Sequence, residues 1–232
     1  MTRKGLINPS CRRRQASNAL NLLDSGLRRH DEKRMSQGFS KYILVFGLVI
    51  LAGCSMLSRP AHIVVPLTET HKIQLPPPKS LGRNIRLNQL ATWEQGEQIN
   101  RIQFIVEVDD NSIRMVGLTP WGTQMFSVDL GPGGLKYDRF TGMADDFRPE
   151  YMLTDFMLTY WSREQLVTVL RDGGLELVET YEPIHQRSIL ADGKTIIRIE
   201  YDDTSRWNGK VMFINLYRNY RFQIETLVYE PL

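Results

Sequence analysis

The chain has 232 residues, 42% hydrophobic and 24% charged, with a formal net charge of +3 and two cysteines. The basic excess is confined to residues 1–53, which carry +7, so the chain from Cys54 onward carries −4; it has no charge basis for gripping a phosphate backbone, and nucleic acid is excluded as a partner. With Cys11 inside that leader and Cys54 at its end, the cysteines exclude a disulfide framework, a thiol nucleophile and a cysteine metal site, and the remaining length suits one domain with a substantial core.

In chain order, residues 1–34 are expected to be a spurious upstream extension, because Met35 directly precedes a well-formed export signal and such signals act at an N-terminus. Residues 35–53 read as that signal: Lys41, an apolar run from Tyr42 to Ala52, then small residues. The run is too short to span a bilayer, which takes about 20 residues. Leu51-Ala52-Gly53-Cys54 resembles the bacterial lipobox, so Cys54 is expected to be the lipidated residue and the anchor to the membrane. Under the sorting rule of enteric-type lipoproteins, an aspartate after that cysteine favours the inner membrane. Here Ser55 stands in its place, which points to the periplasmic face of the outer membrane. Residues 54–80 read as a tether, because Pro60, Pro66 and Pro76-Pro77-Pro78 deny it helix and sheet hydrogen bonds, with Ile63-Val64-Val65 as an apolar patch able to pin part of it. His62 and His71 lack acidic or cysteine companions, and no metal site is expected there.

The domain of residues 81–232 opens with period-two segments: Leu87–Glu94, Asn100–Asp109, Ser112–Leu118, Gln124–Leu130 and Leu135–Phe140. In the fourth, Phe126, Val128 and Leu130 share one face and Met125, Ser127 and Asp129 the other. Pro149 suits a first helical position, and Tyr151, Met152, Phe156 and Tyr160 fall along one side of the helix it opens. Ser162 and Gln165 form a capping box for a second helix that Gly173-Gly174 stops. Strands then return at Leu175–Tyr181, His185–Leu190, Thr195–Tyr201, Val211–Tyr217 and Phe222–Tyr229, with Asp192-Gly193 and Asn208-Gly209 as hairpin turns. The fold class is therefore α+β, mainly β: a curled antiparallel sheet or open β-barrel of about ten strands with a helical lid.

The run from Leu81-Gly82 through QLATWEQGEQINRIQFIVEVDDNSIRMVGLTPWGTQMFSVDLGPGGLKYD is similar to a family of uncharacterised bacterial outer-membrane lipoproteins found beside aryl polyene lipid genes. The order of elements, and the strand, Pro-x-Gly loop and strand around Ile113 to Val128, resemble LolB and its periplasmic carrier LolA. That resemblance implies an open barrel with a helical lid over an apolar cavity, a lipid, polyene or lipoprotein cargo, and an envelope lipid transporter as a further partner. It also implies that Trp121, between Pro120 and Gly122, contacts the membrane where LolB carries a protruding leucine. The alternative is that Trp121 folds back over the sheet.

Chemistry is sparse. The G-x-S-x-G, G-x-x-x-x-G-K-[ST] and H-E-x-x-H motifs do not occur, the aspartate pairs 109–110, 145–146 and 202–203 sit where turns need them, and His185 reads as a surface or hydrogen-bonded histidine. No enzyme activity and no cofactor is expected. Tyr151, Met152, Leu153, Phe156, Met157, Leu158, Tyr160 and Trp161 offer more apolar area than one sheet contact covers. Met125, Met143, Met152 and Met157 bring adaptable side chains. Phe156, Met157, Met152, Tyr160 and Met125 are thus the expected lipid-binding residues, with a fully packed core as the alternative to a cavity. A structural or adaptor lipoprotein of an envelope machine is the competing function.

Overall fold

Alternation of apolar and polar side chains along ten segments is what builds this molecule, since each such strand can bury one face only by lying in a common sheet. The computed structural model describes residues 62–140, 148–203 and 205–232. Strands β3 (Ile85–Gln95), β4 (Gln98–Val108), β5 (Ile113–Leu118), β6 (Gln124–Gly131) and β7 (Gly134–Arg139) form one antiparallel meander; β8 (Leu175–Thr180), β9 (His185–Ala191), β10 (Lys194–Tyr201), β11 (Lys210–Asn215) and β12 (Tyr220–Pro231) form a second. The two join through β3 and β12, giving the order β7-β6-β5-β4-β3-β12-β11-β10-β9-β8, so β7 and β8 are the outermost of the described strands. The expected curled antiparallel sheet of about ten strands with helices is what the chain forms.

Register puts one set of side chains on the concave face. Ile85, Leu87, Gln89 and Ala91 of β3 are buried beside Val108, Val106, Phe104 and Ile102 of β4, while their sequence neighbours Arg86, Glu107 and Arg101 face water. Phe126, Val128 and Leu130 are buried as the alternation requires. Gly117 opposite Phe126 is a close-approach position: a Cβ there would stand 2.1 Å from the Phe126 ring. Helices α1 (Pro149–Tyr160) and α2 (Arg163–Asp172) follow the first meander, with Gln165 Oε1 accepting the Ser162 backbone N–H at 2.8 Å at the start of α2.

The tether reading of residues 54–80 is corrected from His62 on. β1 (Val64–Pro66) and β2 (Lys72–Gln74) pair antiparallel, and a 3-10 helix covers Pro78–Leu81. Val65, Leu67, Ile73, Leu75 and Leu81 are all buried, and together they withdraw the apolar surface that holds this segment on the domain. Pro66 ends β1, Pro76 and Pro77 precede the 3-10 turn and Pro78 opens it, positions where no sheet donor is needed. Residues 1–61 lie outside the described residues, and with them the signal, Cys54 and Ser55; so do Met143, Asp145 and Asp146. Among the described residues no helix is long and apolar enough to cross a membrane.

Candidate functional site

α1 is buried on most of its circumference: Leu153, Thr154, Phe156, Met157, Leu158, Thr159 and Tyr160 are all inside. Its threonines avoid stranding a hydroxyl by donating to the carbonyls one turn back, Thr154 to Glu150 and Thr159 to Asp155, both at 2.7 Å. A helix end leaves carbonyls without intrahelical donors, and here side chains from the second meander supply them. Arg187 Nη1 donates to the Leu158 carbonyl at 2.5 Å and to the Trp161 carbonyl at 2.9 Å. The Tyr201 hydroxyl donates to the Thr159 carbonyl at 2.7 Å, and Arg206 to the Trp161 carbonyl at 2.6 Å. Two guanidiniums at the negative end of the helix dipole add a favourable field. Trp161 closes the corner, its Nε1 donating to Ser80 Oγ at 2.7 Å.

The charge of Arg187, fully buried, is balanced by Glu179, whose Oε1 also accepts from His185 Nε2 at 2.7 Å. Burial alone would push the Glu179 carboxyl up, but the Arg187 cation and the His185 hydrogen bond together hold it below the usual carboxylate range. His185 is sandwiched between the rings of Tyr181 and Tyr201, at 4.6 and 4.4 Å. Loss of water lifts the Tyr201 phenol to about 12, so it remains a donor. This cluster is a bolt for the C-terminal end of α1.

One side of α1, from Met152 through to Tyr160, lies over a cavity. Met152, Asp155, Phe156, Thr159 and Tyr160 form the roof; Gln89, Phe104, Val106, Met115, Phe213, Phe222 and Ile224 of β3, β4, β5, β11 and β12 form the floor and walls. The space is about 50 Å³ and half open to the surface. That is room for a few waters or the tip of a chain, against roughly 300–1,000 Å³ for an ordinary ligand pocket. The elongated cavity expected from the surplus of apolar surface is therefore present only as a small one. Part of that surplus goes elsewhere, because α1 also packs on β1 and Trp161 is fully buried. Asp155 is the one charged side chain in the lining; its Oδ2 accepts the Tyr220 hydroxyl at 2.5 Å. Withdrawal from water pushes its carboxyl up to about 7, against the pull of the Tyr220 bond and the Arg218 cation. Gln89 donates to the Tyr160 hydroxyl at 2.5 Å and to Thr226 Oγ1 at 3.0 Å.

Of the residues expected to hold lipid, Phe156, Met152 and Tyr160 line this cavity. Met157 is buried but outside the lining, and Met125 is half-buried against the core near the β5–β6 turn. Trp121 stands at the tip of that turn, 86% exposed, where Gly122 takes a left-handed φ of 84° and its N–H bonds the Thr119 carbonyl at 2.9 Å. Pro120 fixes the turn's first torsion, so the indole is held outward rather than folded over the sheet. Sequence reasoning missed Asp155, Gln89, Tyr220 and Arg187. Asp155 and Arg187 had a legible signal, a charge within an otherwise apolar face; Gln89 and Tyr220 enter the site only through long-range pairing. A second hollow, polar and open, lies between the β4–β5 and β6–β7 turns and carries Asp109, Asp110, Asp129, Arg114 and Lys136. Among the described residues no group of three His, Cys, Asp or Glu side chains gathers as a metal site.

Known structures similar to this one include a LolA superfamily protein from Nitrosomonas europaea (5% identity, TM-score 0.38, covering 67% of this chain and 94% of that one). A putative outer membrane lipoprotein-sorting protein domain from Vibrio parahaemolyticus (6%, 0.34, 64% and 85%) and a DUF1329 family protein from Desulfovibrio piger (7%, 0.31, 64% and 85%) are similar in the same way. No curated protein matches the sequence. Residues 86–228, more than half of the chain, match the family described as "Protein of unknown function (DUF3261)", and the protein belongs to that family.

Proposed function

We propose that this protein is anchored by lipid at Cys54 to the periplasmic face of the outer membrane, and that its domain receives an apolar chain, acyl or polyene, free or borne by a lipoprotein, between α1 and the concave sheet. The observation that carries the reading is the half-open cavity under α1, walled by Phe104, Val106, Met115, Met152, Phe156, Phe222 and Ile224. A chain longer than the present void enters by repacking Met115 and Met152, whose unbranched side chains adapt at low cost, while the C-terminal end of α1 stays bolted by Arg187. Each methylene moved from water gains about 0.8 kcal/mol, so affinity rises with chain length and depends weakly on salt. Trp121, exposed on a rigid turn, then suits a membrane interface, with an apolar ring and one N–H donor.

The test is binding of fatty acids of graded length to the protein and to Met152→Glu, which puts a charge in the lining without touching the bolt. Length-dependent binding lost in the variant supports the reading; absence of binding to the unaltered protein sinks it. In that event the adaptor reading moves ahead, for which the outermost described strands, β7 and β8, are the candidate surfaces. β7 already argues against edge pairing, with Lys136, Asp138 and Arg139 along it.

A further inference from the structure

The polar atoms facing the cavity are unequally divided between donors and acceptors. The Tyr220 hydroxyl donates to Asp155, and Asn215 Nδ2 in turn donates to the Tyr220 oxygen at 3.2 Å. Thr159 spends its hydroxyl on the Asp155 backbone carbonyl, and Gln89 spends its amide N–H groups on Tyr160 and Thr226. Arg218, the nearest cation, lies 3.8 Å over the Tyr151 ring and donates to the Pro66 carbonyl at 2.5 Å. What remains for a ligand is the Tyr160 hydroxyl hydrogen as a single donor and, as acceptor, chiefly the second oxygen of the Asp155 carboxyl, in an otherwise apolar lining.

We infer that the cavity selects apolar-chain ligands whose polar end is a hydroxyl rather than a carboxylate or phosphate, the hydroxyl donating to Asp155. An anionic head is acceptor-only: the Tyr160 hydroxyl is the one donor it can reach, and it meets the Asp155 charge at close range in a poorly hydrated site. A hydroxyl replaces the lost water with a charge-assisted bond. Above neutral pH the Asp155 carboxyl is ionised, which sharpens the discrimination. An ammonium would also donate, but at a larger desolvation cost, so the alcohol is the better match. This inference rests on the proposed chain-binding role and refines it.

Photo-crosslinking of the full chain in cell lysate at pH 8, with diazirine-bearing dodecanol and dodecanoic acid, tests it. The readout is label on the peptide containing α1. The alcohol should label that peptide roughly ten-fold more than the acid, a ratio worth about 1.4 kcal/mol. In Asp155→Asn, whose amide offers both a donor and an acceptor, the ratio should fall toward one, and Tyr220→Phe, which releases a second acceptor position on Asp155, should keep the alcohol preference. Equal labelling of the unaltered chain by both probes, or an unchanged ratio in Asp155→Asn, overturns the head-group inference while leaving chain binding standing. No labelling of the α1 peptide by either probe overturns the chain-binding role and the inference with it.

Discussion

Replacing Arg187 with methionine keeps the bulk of the side chain and removes its charge and all its donors. Three groups lose partners at once: the Leu158 and Trp161 carbonyls, and the Glu179 carboxylate, whose side chain is 1% exposed. Arg206 still serves Trp161 and His185 still serves Glu179, so the uncompensated losses are the Leu158 carbonyl and one charge. Breaking a buried pair from one side costs about 3–5 kcal/mol, and an orphaned buried acceptor about 1–3 kcal/mol more. Against a stability of order 5–15 kcal/mol for a domain, the single variant should sit near the edge of folding. Urea denaturation followed by circular dichroism measures the loss. The cycle is completed by Glu179→Leu and by the double variant, which removes both charges together and should recover most of the cost. The linkage has a definite sign: Glu179 has a folded pKa below its unfolded value of 4.5, so its contribution is present above that value and is lost as pH falls through the folded pKa. Arg187→Met should abolish that acid dependence. A single-variant cost under about 1 kcal/mol, or a double variant no better than the worse single, would refute the bolt.

For Asp155 the sign is opposite: the folded pKa of about 7 lies above the unfolded 3.8, so stability falls as pH rises from about 4 to 7. The full shift is worth about 4 kcal/mol, and residual solvent contact reduces it, so Asp155→Asn should gain about 2 kcal/mol on the unaltered protein between pH 5 and 8 in urea titrations. Gly117→Ala drives a methyl into the Phe126 ring and should cost about 1–3 kcal/mol, seen as a lower thermal midpoint that Phe126→Leu partly restores. Trp121→Ser should leave the midpoint within about 0.5 kcal/mol, because the indole is 86% exposed, yet remove the fluorescence blue shift on adding vesicles. Cys54→Ser should stop incorporation of a tagged fatty acid; persistent labelling would place the anchor elsewhere.

Strands were legible wherever one face is buried, since alternation is then enforced residue by residue. Gln124–Gly131 is the plain case, with Phe126, Val128 and Leu130 inside and their neighbours outside. The same pattern was present in the stretch read as a tether: Val65 and Leu67, then Ile73 and Leu75, keep period two and are buried, but flanking prolines outweighed four residues of pattern. The pairing of β3 with β12 has no local signature, because register between segments about 140 residues apart is set by shape and not by turn chemistry. The cavity was overestimated for a related reason. Apolar area on α1 is visible in sequence, but the surfaces that consume it, β1 and the corner around Trp161, come from a distant segment.

The seam between β3 and β12 governs how the chain matures. Each meander is assembled from neighbouring hairpins, so its contacts are short in sequence and form quickly, whereas closure waits for the last strand, in which Pro231 meets Ile85 and Arg221 meets Glu94. Until residues 220–231 have emerged and docked, β3 offers an eleven-residue bare edge, the kind of surface that recruits other chains. That same strand brings Phe222 and Ile224 to the cavity wall and Tyr220 to Asp155. Completion of the sheet and completion of the cavity wall are thus one event, and a nascent or C-terminally truncated chain has aggregation-prone halves and an unfinished cavity.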